Sequence, residues 1–381
     1  MAPTDIDRKA NRSTAGVQQS KLVQQEILAV GDAWRARHPW IAAHTDAIGF
    51  TVFLVSCLAI VGTATAYGAG LLPAWATVLV AAFFMSLLHE LEHDLIHFMY
   101  FRKNAFLHNL MMAGVWLFRP STISPWVRRR LHLHHHKFSG TESDLEERGI
   151  TNGVPWGLKR LLMVGDHMLA VYLRPLETRR MIKAFVAAQK NATPAEKRAI
   201  VRENLFGYFP LGIAHYALWH GLVAYYAVTW TAAALGQPPA LPAMLAPHAG
   251  LLQTLLDGAN FLAVTILLPN VLRVFCLHFV SSNMHYYGDV EPGNVIQQTQ
   301  VWNAWWLAPL HLFCFNFGAT HAIHHFVVRD PFYLRQLTAA EAYPILKKYG
   351  VRFNDYGTFR RANRWALAPA SQQTAAAPAT H

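Results

Sequence analysis

The sequence AIGFTVFLVSCLAIVGTATAYGAGLLPAWATVLVAAFFMSLLH, residues 47–89, contains no Asp, Glu, Lys or Arg. Only the turn-forming residues between Gly68 and Pro73 interrupt its apolar pattern. A helix crosses a membrane with about 20 apolar residues, so the stretch is long enough for one crossing on each side of that turn. The sequence therefore predicts a transmembrane helical hairpin.

A second apolar region lies between residues 204 and 273, where the only charge is Asp257. The Gly- and Pro-containing segment 236–242 divides it into two further crossings. Two other apolar stretches, 105–118 and 301–317, are short or contain Asn and His, so we predict them as re-entrant or interfacial segments. With 53% hydrophobic and 14% charged residues, the chain is predicted to be an all-α integral membrane protein with about four transmembrane helices.

Basic residues are dense between residues 119 and 202, whereas the turns at 68–73 and 236–242 carry none. The positive-inside rule then places 119–202 and both termini in the cytosol. Because topology and anionic lipid account for the net charge of +11, no nucleic-acid partner is expected. The predicted organisation is a cytosolic N-terminal segment 1–46, a membrane-bound domain 47–335, a cytosolic C-terminal segment 336–365 and a disordered tail 366–381.

Three dense groups contain the informative histidines: His89-Glu-Leu-Glu-His93 with His97 beyond it, His132-Leu-His-His135-His136, and His321-Ala-Ile-His324-His325. On a helix, residues at i, i+3 and i+4 share one face, so each group can direct two or three imidazoles toward a single point. Such spacing is typical of metal ligands. His134, between ligands of the second group, is expected to point away from them.

All three groups are predicted to reach the same side of the membrane, because no crossing separates the first from the second and two separate the second from the third. His285 emerges on that side after the fourth crossing. Nine imidazoles exceed the six or so ligands of one octahedral ion, so two metal ions are predicted in a cytosolic helical cap. The predicted ligands are His89, His93, His132, His135, His136, His285, His321, His324 and His325.

Imidazole ligands suit several metals, so the ligand type alone does not identify the ion. Neighbouring acids are candidates to accept the second ring N–H of a ligand and so fix its tautomer. Asp94 and Asp144 are favoured for this role because they lie closest to the histidine groups. The other candidates beside the predicted ligands are Glu90, Glu92, Asp289 and Asn283.

The order H-x3-H, H-x-x-H-H, H-x-x-H-H resembles the histidine boxes of the membrane fatty acid desaturases and alkane hydroxylases, over about residues 89–335. The first box, His89-Glu-Leu-Glu-His93, looks like that of alkane hydroxylases and sphingolipid desaturases. Residues 283–288 resemble the isolated ninth-ligand segment of the superfamily, and 316–333 resembles the third desaturase box with its flank. His93-Asp-Leu-Ile-His97 is an alternative first box; we favour His89 as the partner of His93.

The resemblance implies a cytosol-facing site with two iron ions, which uses O2 and two electrons to attack a C–H bond of a lipid or fatty acyl chain. We expect a desaturase; the alternative is a hydroxylase, a monooxygenase of alkyl or acyl chains. No haem-binding His-Pro-Gly-Gly box and no cysteine cluster occurs, so electrons are expected from a separate ferredoxin, rubredoxin or cytochrome b5. The basic run Arg128-Arg129-Arg130 is predicted to dock this donor.

Other readings of the same residues remain open. His89-Glu90-x-x-His93 also fits the zinc metalloprotease motif, although that function leaves most of the grouped histidines unused. A histidine-rich metal transporter is a further alternative, although its ligands would be expected at the bilayer midplane, whereas most of these histidines lie in predicted cytosolic segments. The tryptophans at 302, 305 and 306 are expected either to line a substrate tunnel or to form an interfacial belt. We expect the histidines at 108, 278 and 311 to be structural.

Overall fold

The computed structural model describes residues 5–237 and 243–366. The predicted tail beyond residue 366 and most of the predicted break at 236–242 lie outside these ranges. Within the described residues the structure contains α-helices, short 3-10 turns and two isolated β-bridges, but no β-strand. The predicted all-α class is therefore confirmed.

The first five helices build the hairpin and its neighbours: α1 Asp5–Arg37, α2 Pro39–Ala43, α3 Thr45–Gly68, α4 Ala74–Ile96 and α5 Ala105–Phe118. Helices α3 and α4 are the predicted hairpin, joined by the short turn that contains Gly70 at φ 73°. Their contact surface is apolar, with Phe53 and Ile60 of α3 packed against Met85 and Leu88 of α4. At 1.5 Å per residue each helix is about 35 Å long, sufficient for the roughly 30 Å apolar core of a bilayer.

The polar middle of the chain forms six short helices: α6 Pro125–Phe138, α7 Leu145–Ile150, α8 Leu158–Gly165, α9 His167–Tyr172, α10 Pro175–Ala188 and α11 Pro194–Phe206. The helix α6 carries the second histidine group, and α7 packs directly beside it. Several of these helices begin at side-chain caps that the sequence supplies. Asp144 caps α7, Asp166 caps α9, and Thr193 with Glu196 forms a capping box on α11.

The remaining helices are α12 Leu211–Ala234, α13 Ala249–Leu262, α14 Leu268–Met284, α15 Ala308–Phe313, α16 Phe317–Phe326 and α17 Phe332–Lys348. A single π-helical turn, Ala263–Leu267, joins α13 to α14, so the chain runs helically over Ala246–Met284. Among the described residues, three helices are long and apolar enough to cross a membrane: α3, α4 and this 39-residue helix.

Helix α12, the third predicted crossing, has 24 residues but is not among these three. Its length is sufficient, so its composition makes the difference: His215, Tyr216, Trp219 and His220 form a polar band in its first half. Two of them contact the short helices of the middle segment, because Trp219 and His220 both hydrogen-bond Asp166.

The predicted interfacial segments are short in the structure. Helix α5 has 14 residues and packs on the α3–α4 hairpin through Met111 and Val115. Residues 301–317 are broken into two short helical pieces, and Trp302 is fully buried against α14. Trp302 therefore belongs to the interior packing, in neither of its two predicted roles, whereas Trp305 and Trp306 are exposed.

Helices α1, α16 and α17 share one apolar cluster, formed by Val23 and Ile27 of α1, Ile323 of α16, and Ala342 and Leu346 of α17. Helix α17 crosses the predicted boundary at residue 335 without a break. The terminal helices therefore pack directly against the helix that carries the third histidine group.

Candidate metal centre

Five histidines, four from helices α4, α6 and α16 and one directly after α4, converge on one point: His93, His97, His132, His136 and His324. Their candidate ligand nitrogens lie within 4.8 Å of one another. The Nε2 atoms of four of them form a closed ring, because His97–His132, His132–His136, His136–His324 and His324–His97 are separated by 3.0, 3.1, 3.0 and 3.0 Å. His93 completes the group, its ring centroid 4.1 Å from that of His324.

Four further histidines form a second group: His135, His285, His321 and His325. The Nε2 of His325 lies 3.3 Å from that of His135, 3.4 Å from that of His285 and 3.2 Å from that of His321. All four side chains are buried. The two groups together contain nine histidines, the number that the sequence predicts.

Helices α6 and α16 supply both groups in a reciprocal way. The first and last histidines of the α6 motif, His132 and His136, enter the first group, and His135 enters the second. On α16, His321 and His325 belong to the second group and His324 belongs to the first. The cause is helical geometry, since positions i and i+4 diverge by about 40° whereas i+3 and i+4 diverge by about 100°. Each motif therefore serves two points, not the single point that the spacing suggested.

The spacing of the nitrogens fits metal ligation. Imidazole nitrogen lies about 2.1 Å from a bound first-row ion, so two ligands at right angles are about 3.0 Å apart. The observed Nε2 separations of 3.0–3.4 Å agree with this value. In addition, both ring nitrogens of buried His93 lack a hydrogen-bond partner, a costly arrangement that a metal ion at this point would relieve.

Four ligand candidates are oriented through their outer nitrogen, Nδ1. The Nδ1 of His132 lies 2.8 Å from a Glu146 oxygen, and the Nδ1 of His135 lies 2.9 Å from an Asp144 oxygen. The Nδ1 of His285 lies 2.8 Å from the Ser281 carbonyl, and that of His325 lies 2.9 Å from the side-chain oxygen of Gln298. An acceptor at Nδ1 places the proton there and leaves the Nε2 lone pair free for a metal. The partners thus select the tautomer that metal binding needs.

Burial controls the ionisation of these groups. Burial lowers the pKa of His285 to about 3 and that of His97 to about 2, so both rings are neutral at pH 7. Burial disfavours the carboxylate of Glu146, but His132 and Arg128 outweigh this and lower the pKa of Glu146 below its ordinary value. Burial raises the pKa of Glu147 to about 8.

His89 lies outside both groups, and His97 is in the first group instead. The Nδ1 of His89 faces the guanidinium of Arg119 at 3.2 Å, and Glu90 pairs with Arg335 at 3.2 Å. The favoured pairing of His89 with His93 is thus not the one that the fold brings together. The zinc protease motif requires His89 and His93 to bind the same ion, and His89 lies outside the group that contains His93.

The acids near the first box form contacts between helices and do not accept hydrogen bonds from the grouped histidines. Asp94 accepts from Tyr100, the backbone N–H of Phe332 and Arg335, whereas its nearest oxygen is 3.7 Å from the Nδ1 of His93. Glu92 forms ion pairs with Arg119 and Arg128. These buried pairs link α4 to α6 and α17.

Two other predicted neighbours lie further away. Asn283 accepts from Arg160 at 3.2 Å and donates to the Phe279 carbonyl, with no contact to a grouped histidine. Asp289 accepts from the backbone N–H groups of Trp365 and Ala366. By contrast, Glu146 and Gln298 contact grouped histidines and are not among the predicted neighbours. The cluster of acids at 144–147 directly after the second box was the available signal for Glu146.

The other histidines differ in their surroundings. His134 is turned away and contacts Ser143 and Gln189. His108 and His311 each bond a backbone carbonyl, of Tyr100 and Trp302 respectively. His278 is buried, and its Nδ1 has no hydrogen-bond partner among the described residues.

The run Arg128-Arg129-Arg130 is not a free basic patch. Arg128 contacts Glu92 at 3.0 Å and Glu146 at 3.2 Å, and Arg129 donates to the Leu95 carbonyl. Only Arg130 projects substantially outward. Two of the three arginines thus contact interior groups, and the docking of an electron donor on this run stays a prediction.

A cavity of about 190 Å³ lies beside both groups. His93, His132, His135 and His321 form one wall of it. The other lining residues come from several helices, and apolar ones such as Ile123, Leu131, Ile150, Met181, Leu277 and Phe317 alternate with polar and charged ones, including Arg128, Glu146 and Glu147. An aliphatic chain in this cavity would lie directly against the histidine groups.

The fold and site together define an all-helical membrane protein with histidine clusters suited to binding metal. The chain matches the family model described as fatty acid desaturase over residues 69–357, well over half of its length, and it belongs to that family. It is accordingly an enzyme of the desaturase type. No curated protein and no solved structure gives a significant match.

Proposed function

We propose that this protein is an O2-dependent di-iron desaturase that introduces a double bond into a fatty acyl chain, carried by a membrane lipid or an activated fatty acid. The observation that supports this most directly is the convergence of nine histidines, seven buried and two half-buried, in two groups beside a cavity with many apolar lining residues. When bound, two iron ions would supply the oxidising power, from O2 and two electrons, to attack an unactivated C–H bond.

The proposed ligands are His93, His97, His132, His136 and His324 for one ion, and His135, His285, His321 and His325 for the other. This assignment replaces His89 by His97. The role of the protein itself is positioning: the cavity walls hold one part of the chain against the histidines, and this selects the carbon that reacts.

We prefer desaturation to hydroxylation because the third box and its flank, residues 316–333, resemble those of desaturases. The segments that favour hydroxylation are the first box and the ninth-ligand segment, and the first box begins at His89, which lies outside both groups. A hydroxylated product is the alternative outcome of the experiment below. In either case the electrons would come from a separate protein of the ferredoxin, rubredoxin or cytochrome b5 type.

We also propose four membrane crossings with the metal site on the cytosolic side. The helices α4 and α14 both end at the histidines, so the chain must return to the opposite face between them, and α12 is the 24-residue helix available for this. The dense basic residues of the middle segment support the orientation. Labelling of single cysteines from each side of the membrane tests it.

The function is tested by expressing the chain with a donor protein in a lipid-producing host and profiling fatty acids and alkanes by mass spectrometry. We expect a new double bond, which is lost in His135→Asn. The matched control is the adjacent His134→Asn, which lies outside both groups and should retain the product. Oxidised lipid formed equally by His135→Asn would refute the proposed site.

A further inference from the structure

Arg273 of α14 is buried, with 1% of its surface exposed, yet its guanidinium has no acidic partner among the described residues. It donates to Ser121 Oγ at 3.1 Å and lies 3.4 Å from the side-chain oxygen of Asn270. Its Nε and Nη1 atoms are buried without any hydrogen-bond partner. A buried cation in this state is strongly destabilising unless an anion completes its surroundings.

The other deeply buried arginines nearby are better compensated. Arg119 pairs with Glu92, and Arg335 pairs with Glu90 and Asp94. Arg160 has no acid but donates to two backbone carbonyls at 2.7 and 2.8 Å. All four arginines retain buried N–H groups without a partner. Arg273 differs from the other three in having neither an acidic partner nor a backbone carbonyl as acceptor among the described residues.

Arg273 is one of the residues that line the cavity beside the two histidine groups. Arg273, His167 and His278 all line it, and the rings of the two histidines are 5.2 Å apart. The Nδ1 atoms of both histidines are buried and lack partners. The cavity thus joins a set of unpaired nitrogen groups to the wall formed by His93, His132, His135 and His321, with apolar side chains such as Val274 and Leu277 in its lining.

We propose that Arg273, with His167 and His278, binds the carboxylate of an unesterified fatty acid whose chain extends along the cavity toward the metal centre. A carboxylate accepts charge-assisted hydrogen bonds from guanidinium N–H groups, and the Nε and Nη1 atoms of Arg273 have such groups free. It is also small enough for a residue that is 1% exposed, whereas a coenzyme or phospholipid head group is not. The inference rests on the proposed function and replaces its esterified carriers by the free acid.

A fixed head group has a consequence for selectivity. When the carboxylate is held at Arg273, the number of methylene groups between it and the histidines determines which carbon faces them. Arg273 is then a specificity-determining residue, and its loss is expected to change substrate binding without removing the metal.

The test is binding, measured on purified, iron-loaded protein with radiolabelled dodecanoate in a scintillation proximity assay. Unlabelled dodecanoate should compete at least roughly tenfold better than methyl dodecanoate, since only the acid can accept charge-assisted hydrogen bonds. In Arg273→Met the affinity for dodecanoate should fall about ten- to hundredfold. The matched control Arg180→Met, at an exposed arginine of α10, should leave it unchanged.

Iron content and thermal unfolding of each variant separate a binding defect from misfolding. If Arg273→Met does not fold, the comparison of acid with ester on the wild-type protein decides, together with His278→Phe, which should also weaken dodecanoate binding. Equal competition by acid and ester on the wild type would overturn the inference. Absence of iron or of O2-dependent product, with dodecanoate binding intact, would instead count against the proposed function.

Discussion

At the scale of single residues, the choice between His97 and His89 is made by packing near the end of α4. His97 follows the last residue of α4, and its Nε2 lies 3.0 Å from those of both His132 and His324. His89, two turns earlier, faces the guanidinium of Arg119. A neighbouring cation disfavours a further positive ion at that ring, so His89 is poorly placed as a ligand.

His97→Asn is accordingly expected to lower the iron content of the purified protein by about one ion per chain, because it removes a ligand of the first group. His89→Asn should retain the full iron content. The measurement is metal analysis of both variants by mass spectrometry. Loss of iron from His89→Asn with retention in His97→Asn would reverse the assignment.

Glu146 is a second single-residue determinant, because its carboxylate accepts from the Nδ1 of His132 and also pairs with Arg128. Replacing such a partner usually weakens metal affinity about 10- to 100-fold. We expect this loss in Glu146→Gln, measured by competition with a chelator. Glu142→Gln, in the same segment but exposed, is the control, and equal affinities for the two variants would contradict the role of Glu146.

At the scale of helices, the centre depends on how closely α16 approaches its neighbours. A Cβ atom at Gly318 would lie 2.7 Å from atoms of both His311 and Val280 and 3.1 Å from Trp302. The carbonyl of Gly318 also accepts from the backbone N–H of Trp302 at 2.8 Å. The absence of a side chain at Gly318 thus lets α16 lie against α14.

Gly318→Ala is expected to destabilise the protein by about 1–3 kcal/mol through overpacking and to lower its iron content. Thermal unfolding in detergent and metal analysis measure both effects. Gly62→Ala provides the control, because that helical glycine has no neighbour within 4 Å of an added Cβ. A variant at Gly318 as stable as the control would show that the close approach is not required.

The sequence predicted the hairpin and eight of the nine grouped histidines, because apolar length and i, i+3, i+4 spacing are local properties. It did not decide between His89 and His97, since both lie within one helical face of His93. Gln298 could not be found at all. Gln298 reaches His325 because two backbone hydrogen bonds hold residues 298–300 beside residues 284–286. The N–H of Tyr286 donates to the carbonyl of Gln298, and the N–H of Gln300 donates to the carbonyl of Met284. Such pairing depends on the tertiary fold.

At the scale of the whole molecule, all the segments that contribute histidines to the two groups meet at one end of the long helices. Helix α4 runs toward this end, and so does the 39-residue helix Ala246–Met284. At 1.5 Å per residue the latter is about 58 Å long, nearly twice the apolar thickness of a bilayer. Its final turns, with Arg273 and the approach to His285, can therefore extend beyond the hydrocarbon region.

This geometry predicts which surfaces a membrane-impermeant thiol reagent will reach. Lys183→Cys on α10 and Gln25→Cys on α1 should react only in inverted vesicles, because both lie with the histidines on the proposed cytosolic side. Leu71→Cys, in the turn between α3 and α4 and 77% exposed, should react only in right-side-out vesicles. The wild-type protein gives the background, since Cys276 and Cys314 are buried and Cys57 is half-buried. Labelling of Leu71→Cys and Lys183→Cys from the same side would exclude the hairpin crossing, and a reversed pattern would place the metal centre on the opposite face of the membrane.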